Sequence, residues 1–145
     1  MTRPEEYENL IKTGHFKDHE GKLTNIIQYL EVATQLSQDA KHLSFATSKY
    51  TLAYDGFFQI VQAVLEFYNV RSTDKQGHRI IAIQRVCADL GIRPGGFKLI
   101  SIAHDRRNQA TYGDPFPPIS QEEASAMLHI LDETIPKAKA LLKIP

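Results

Sequence analysis

The sequence predicts an all-α fold, an up-and-down bundle of four main helices with additional short ones. Three observations carry this expectation. Apolar residues recur at three- and four-residue steps along most of the chain, period-two alternation never extends beyond about four residues, and Gly- or Pro-rich breaks leave mostly short connections. Thr2 and Glu5 have capping-box spacing, with Pro4 in the first turn where its missing N–H costs nothing, so a short helix opens there and stops at Gly14. GHFKDHEGK, 14–22, reads as a loop. A second helix carries Ile26, Ile27, Leu30, Ala33 and Leu36 on one face. The longest helix is expected from about Ser44 to Tyr68, with Phe45, Leu52, Phe57, Ile60, Val61, Val64, Leu65 and Tyr68 as a wide apolar face.

The polar stretch 69–76 reads as a connection, and Gly77 to Leu90 resumes helical spacing through Ile80, Ile81, Ile83, Val86, Cys87 and Leu90 before Gly91 stops it. GIRPGG, 91–96, is a turn by composition. A fifth helix from about Phe97 turns Leu99, Ile100 and Ala103 inward, continues into HDRRNQATY and breaks at Gly113. DPFPPI cannot be helical throughout, and Ser120 with Glu123 forms a second capping box. That box opens a last helix with Ala124, Met127, Leu128, Leu131 and Ile135 inward, and Pro136 is expected to kink it.

At 145 residues with 42% hydrophobic and 23% charged residues, one domain over 1–145 is the expectation, large enough to need no disulfide or metal staple. Cys87 is the single cysteine, which fits a reducing compartment. No run approaches the roughly 18 apolar residues of a membrane span and the N-terminus lacks a signal-peptide layout, so a soluble, cytoplasmic protein with no membrane partner is expected. Seventeen basic residues balance seventeen acidic ones, which argues against a globally basic nucleic-acid coat. Any nucleic-acid site must be local.

The end of the fifth helix is the chemically unusual stretch. His104, Arg107, Asn108 and Thr111 share a helical face, and Tyr112 lies one turn beyond Asn108. Arg grips phosphate bidentately, Asn donates and accepts, and a neutral imidazole can take a proton from a ribose 2′-hydroxyl. Arg93, Lys98, Arg106 and Arg107 face only Asp105 in charge between 93 and 111, so this segment is a basic region suited to phosphate. The competing reading is a solvated helix end whose arginines complement the macrodipole. His15 and His19 have ligand-like spacing but sit between Gly14 and Gly21 without a further matching ligand, so neither a metal nor another cofactor is expected. His78 and Arg79 read as a helix start, and Tyr54, Phe57, Phe58, Phe67 and Tyr68 as bundle core or dimer interface.

The order of long amphipathic helix, polar connection with GHR, helix, turn, RRNQATYGD and a closing helix containing ETIPKAKALL resembles the HEPN superfamily (higher eukaryotes and prokaryotes nucleotide-binding domains) over 44–142. In that superfamily an Arg, commonly followed by a polar residue, precedes a His by four to six residues. Arg107 and Asn108 match its start, and Tyr112 stands where the His would be, giving an RNxAxY motif. The resemblance implies a small helical bundle that dimerises with two motifs facing across the interface. It also implies RNA or nucleotide as ligand and, in many members, metal-independent endoribonuclease activity in toxin–antitoxin pairs or phage defence, with a nucleotidyltransferase antitoxin as partner. Two readings stay open. In the first, Arg107, Asn108 and Tyr112 form the catalytic set, His104 is the reserve base, and Arg106, Thr111, Arg93 and Lys98 bind the ligand. In the second, the chain is a non-catalytic interaction or nucleotide-binding module. If two Arg107 side chains meet at a two-fold axis, an anion, Asp105 or Asp114 is expected between them.

Overall fold

A computed structural model describes residues 3–145. The fold is all-α, with six helices and one very small sheet: α1 (Glu5–Lys12), β1 (Phe16–Asp18), α2 (Leu23–Lys41), α3 (Ala46–Phe67), β2 (Val70–Ser72), α4 (His78–Asp89), α5 (Pro94–Thr111) and α6 (Gln121–Leu142). α3 is the central element. Its residues are apolar on most sides, and it packs chiefly against α2 and α6, with α4 and α5 making smaller contacts. Ala53, Phe57, Ile60, Val61, Ala63 and Val64 are wholly buried there. Gly56 lets α6 approach closely: a Cβ at this position would lie 2.7 Å from Leu131 Cδ2.

The helix ends follow local chemistry. Ser120 caps α6 by accepting from the Glu123 N–H at 3.0 Å, completing the expected capping box. Gly91 and Gly113 take left-handed φ values of 67° and 101° just after α4 and α5. α6 continues through Pro136 to Leu142. At the N-terminus α1 begins at Glu5 with Pro4 as the N-cap residue, and Thr2, the expected cap, lies outside the described residues.

Several expectations are corrected. Neither the 14–22 loop nor the 69–76 connection is irregular throughout, because β1 and β2 pair antiparallel, Phe16 with Ser72, Lys17 with Arg71 and Asp18 with Val70. α5 starts at Pro94, inside the expected turn, since a proline at the first helical position gives up no hydrogen bond. Phe45 is 67% exposed because it is the extended N-cap residue of α3 and precedes the helical face. Leu99 is 43% exposed: α5 buries only a narrow line through Ile100 and Ala103, and Leu99 sits about 100° round the helix from Ile100. Ile27 of α2 is likewise exposed beside the buried Ile26.

The ladder is tied to the bundle from below. Glu66, 2% exposed near the end of α3, accepts from His19 Nε2 at 3.0 Å, the Lys22 N–H at 2.9 Å and Asn25 Nδ2 at 3.0 Å. The chain passes so near α3 here that a Cβ on Gly21 would lie 2.0 Å from the Glu66 carbonyl oxygen. Phe16 and Val70 point inward and are buried, which leaves Lys17 and Arg71 side by side on the outer face.

Candidate functional site

The last two turns of α5 and the start of α4 form the walls of an open groove of about 720 Å³. His104, Arg107, Asn108, Thr111 and Tyr112 line one side, and the stretch from Asp74 through His78 and Arg79 supplies the other. Helical spacing explains the first wall, because positions 104, 107, 108 and 111 fall on one face. The second wall depends on tertiary packing of α4 beside α5 over α3.

Beneath the groove, α3 contributes two residues that organise it. Asp55 Oδ2 accepts from Arg107 Nη2 at 3.1 Å, and Tyr54, 1% exposed, places its hydroxyl 3.1 Å from His104 Nδ1. Burial raises the Asp55 carboxyl, more than the Arg107 and Arg79 cations lower it. Burial also lowers the His104 imidazole, assisted by Arg79 and His78 and opposed by Asp105, so the ring is neutral at pH 7. Tyr54 is raised, again chiefly by burial, and stays a phenol. The pair therefore has two proton arrangements: a phenol donating to Nδ1 leaves Nε2 as a donor, whereas an Nδ1–H donating to the phenol oxygen leaves Nε2 free to accept a proton.

Arg79 lies over the Phe58 ring, 4.3 Å from its centroid, and no carboxylate among the described residues is within ion-pairing distance of it. It lines the groove opposite Arg107. Thr111 Oγ1 donates to the Arg107 carbonyl at 3.0 Å, and Tyr112 projects at 79% exposure from the end of α5.

The other residues named from sequence lie elsewhere. Arg106 turns to the opposite side of α5, where it pairs with Glu123 and donates to Tyr50 Oη at 3.2 Å. Arg93 borders a different groove, with Ile92, Ile130 and Pro136, about 20 Å along α5 from Arg107. Lys98 is exposed outside both grooves. The basic segment is thus divided among separate surfaces rather than gathered in one patch. His15 and His19 are not on a helix, and His19 is taken up by Glu66. Among the described residues no cluster of three or more His, Cys, Asp or Glu side chains could hold a metal ion, and no helix is long and apolar enough to cross a membrane.

Sequence reasoning missed the contacts of Asp55 and Tyr54 beneath the groove and the placement of Arg79 opposite Arg107. Asp55 carried a usable signal: it is the lone charged residue between Lys49 and Glu66 in an apolar helix, and a carboxylate so placed needs a partner. Within the single chain Arg107 pairs with Asp55, and Asp105 and Asp114, the carboxylates expected between two Arg107 side chains at a two-fold axis, are exposed. Among the aromatic residues, Tyr54, Phe57 and Tyr68 are core, while Phe58 is half-buried beneath Arg79. In comparisons with known proteins, no family model matches the chain and no curated protein matches it.

Proposed function

We propose that the groove between α4 and α5 binds phosphate groups of RNA or a nucleotide, and that the chain is a HEPN-type, RNA-directed domain of a toxin–antitoxin or phage-defence system. The observation that carries this reading is the convergence of Arg107, Asn108, His104 and Tyr112 with Arg79, an arginine free of carboxylate partners, on one groove of a chain with zero net charge. In the catalytic form, His104 Nε2 removes the proton of a ribose 2′-hydroxyl, whose oxygen attacks the adjacent phosphorus. The P–O5′ bond breaks and water protonates the departing 5′-oxygen, leaving a 2′,3′-cyclic phosphate, a 5′-hydroxyl and a hydroxide that the His104 imidazolium neutralises. Arg107 and Asn108 stabilise charge on the phosphorane, Tyr112 orients the scissile group, and Tyr54 is the positioning residue that holds the imidazole.

The test is incubation of purified protein with mixed cellular RNA and a chelator. Cleavage to cyclic-phosphate ends is expected, and His104→Ala should remove it while RNA binding persists. An unperturbed imidazole would place the rising limb of the rate near pH 6 to 7. Because His104 is lowered from 6.5, the limb should fall below that value, with full rate at neutral pH. RNA left intact by the wild type, or cleavage unaltered in His104→Ala, sinks the catalytic form.

A non-catalytic module is the second reading, favoured by the bonds that already engage two of the candidate residues, Arg107 with Asp55 and His104 with Tyr54. Intact RNA together with Arg107-dependent binding would establish it. The composite site of the family would join two α5 ends across a two-fold axis. Light scattering should then give twice the chain mass at micromolar concentration, and co-purification with an antitoxin or nucleotidyltransferase encoded nearby would add the partner.

A further inference from the structure

We propose that a second groove, on the far side of His78 and Arg79, takes the neighbouring nucleotide, so that the ligand is single-stranded RNA of two or more nucleotides rather than a mononucleotide. This rests on the phosphate-binding reading of the α4–α5 groove. The second groove measures about 400 Å³ and shares His78 and Arg79 with the first, so these two side chains form a ridge with a depression on either side. The half-buried Tyr29 of α2 supplies the open aromatic surface, Phe58 lies under Arg79, and the buried Leu65 and Val70 close the floor, while Gln62 and Arg71 supply polar edges. Such a mixture suits a nucleobase, which needs a face to stack on and groups to bond its edge, and only an unstacked base of a single strand can enter it.

Charge points the same way. Arg71 and Lys17 are register partners on the outer face of the ladder, and neither has an ion-pair partner among the described residues. Like charges directly opposite one another weaken a ladder unless an anion lies between them. Lys17, Arg71, Arg79 and Arg107 thus mark a cationic track from β1 over the ridge into the first groove. The carboxylate at the second groove, Glu66, already accepts from His19, Lys22 and Asn25, so its charge is offset from within. The Arg79 guanidinium, seated over Phe58, stands on the ridge between the two grooves, where it can meet the phosphate linking the two nucleotides.

Calorimetry with two probes tests the proposal: adenosine 5′-monophosphate and a mixed-sequence RNA hexamer bearing 2′-O-methyl riboses, which cannot be cleaved by 2′-attack. The hexamer should bind at least ten-fold tighter than the mononucleotide. Arg71→Ala, an exposed change that leaves helicity intact, should weaken the hexamer at least three-fold and the mononucleotide not at all, and Tyr29→Leu should act alike. Arg107→Ala should weaken both probes. Equal affinities for the two probes, an unaltered hexamer affinity in both Arg71→Ala and Tyr29→Leu, equally tight binding of duplex RNA, or equal competition by a poly-glutamate peptide would overturn it. If one of these occurs while Arg107→Ala still weakens binding, the α4–α5 reading stands alone. If neither probe binds, both fall.

Discussion

Asp55 and Arg107 decide between the two readings of the groove at the level of single side chains. The Arg107 side chain is 40% exposed and that of Asp55 36%, so the pair contributes at most about 1 kcal/mol to stability in water. Arg107→Ala should therefore lower Tm by only a few degrees while removing RNA binding. A large Tm loss with binding retained would make the pair structural. Asp55→Asn is the informative complement. It keeps a hydrogen-bond acceptor near Arg107 but removes the competing charge, so phosphate affinity should rise several-fold, as read by anisotropy with a labelled oligonucleotide. An affinity that falls would mean that Asp55 aims Arg107 rather than competing for it. The face that holds His104, Arg107 and Asn108 was legible in the sequence because 100° spacing needs no tertiary knowledge. Tyr54 was not, and Asp55 signalled only that it needed a partner, since nothing in α3 alone says that α5 crosses over them.

Elements differ in legibility for the same reason. The long helices announce themselves through apolar periodicity summed over many turns, and α6 adds a capping box. The β1–β2 ladder has three residues per strand, too few for alternation to register, and its partners are separated by more than fifty positions. What holds it is Glu66, whose environment has a consequence in acid. Burial alone raises that carboxyl, but donation from Asn25, the Lys22 N–H and His19 together outweighs it, and the net shift is below 4.5. A depressed folded value means stability fully present above the unfolded value and lost as pH falls through the folded one. Wild type should thus lose stability below about pH 4.5 more steeply than Glu66→Gln, which lacks the titrating group. Parallel acid profiles for the two would remove Glu66 as the cause. Gly21→Ala probes the same junction sterically. A Cβ 2.0 Å from a backbone oxygen cannot be relieved by a rotamer change, so the expected loss is about 1–3 kcal/mol, seen as a Tm drop of several degrees.

Over the whole molecule, zero net charge sets how RNA binding must respond to salt. A uniformly basic protein gains phosphate contacts wherever the strand falls, whereas here the proposed track consists of Lys17, Arg71, Arg79 and, shared with Asp55, Arg107. Counterion release from single strands contributes a slope of about −0.7 per neutralised phosphate in log K against log salt, so four contacts bound the slope at about −3. Arg107 already spends part of its charge on Asp55, which draws the expected value nearer −2. Position matters more than sum. Arg79→Ala should flatten the slope by about 0.7 because its guanidinium faces both grooves. Arg93→Ala and Lys98→Ala should leave it unaltered, although they remove the same formal charge from the same chain, because neither residue borders the track. Titrating each variant with a labelled oligonucleotide from 50 to 300 mM salt reads this directly. Equal flattening by Arg79→Ala and Arg93→Ala would mean that RNA responds to diffuse surface charge, and the groove would lose its claim to be the binding site.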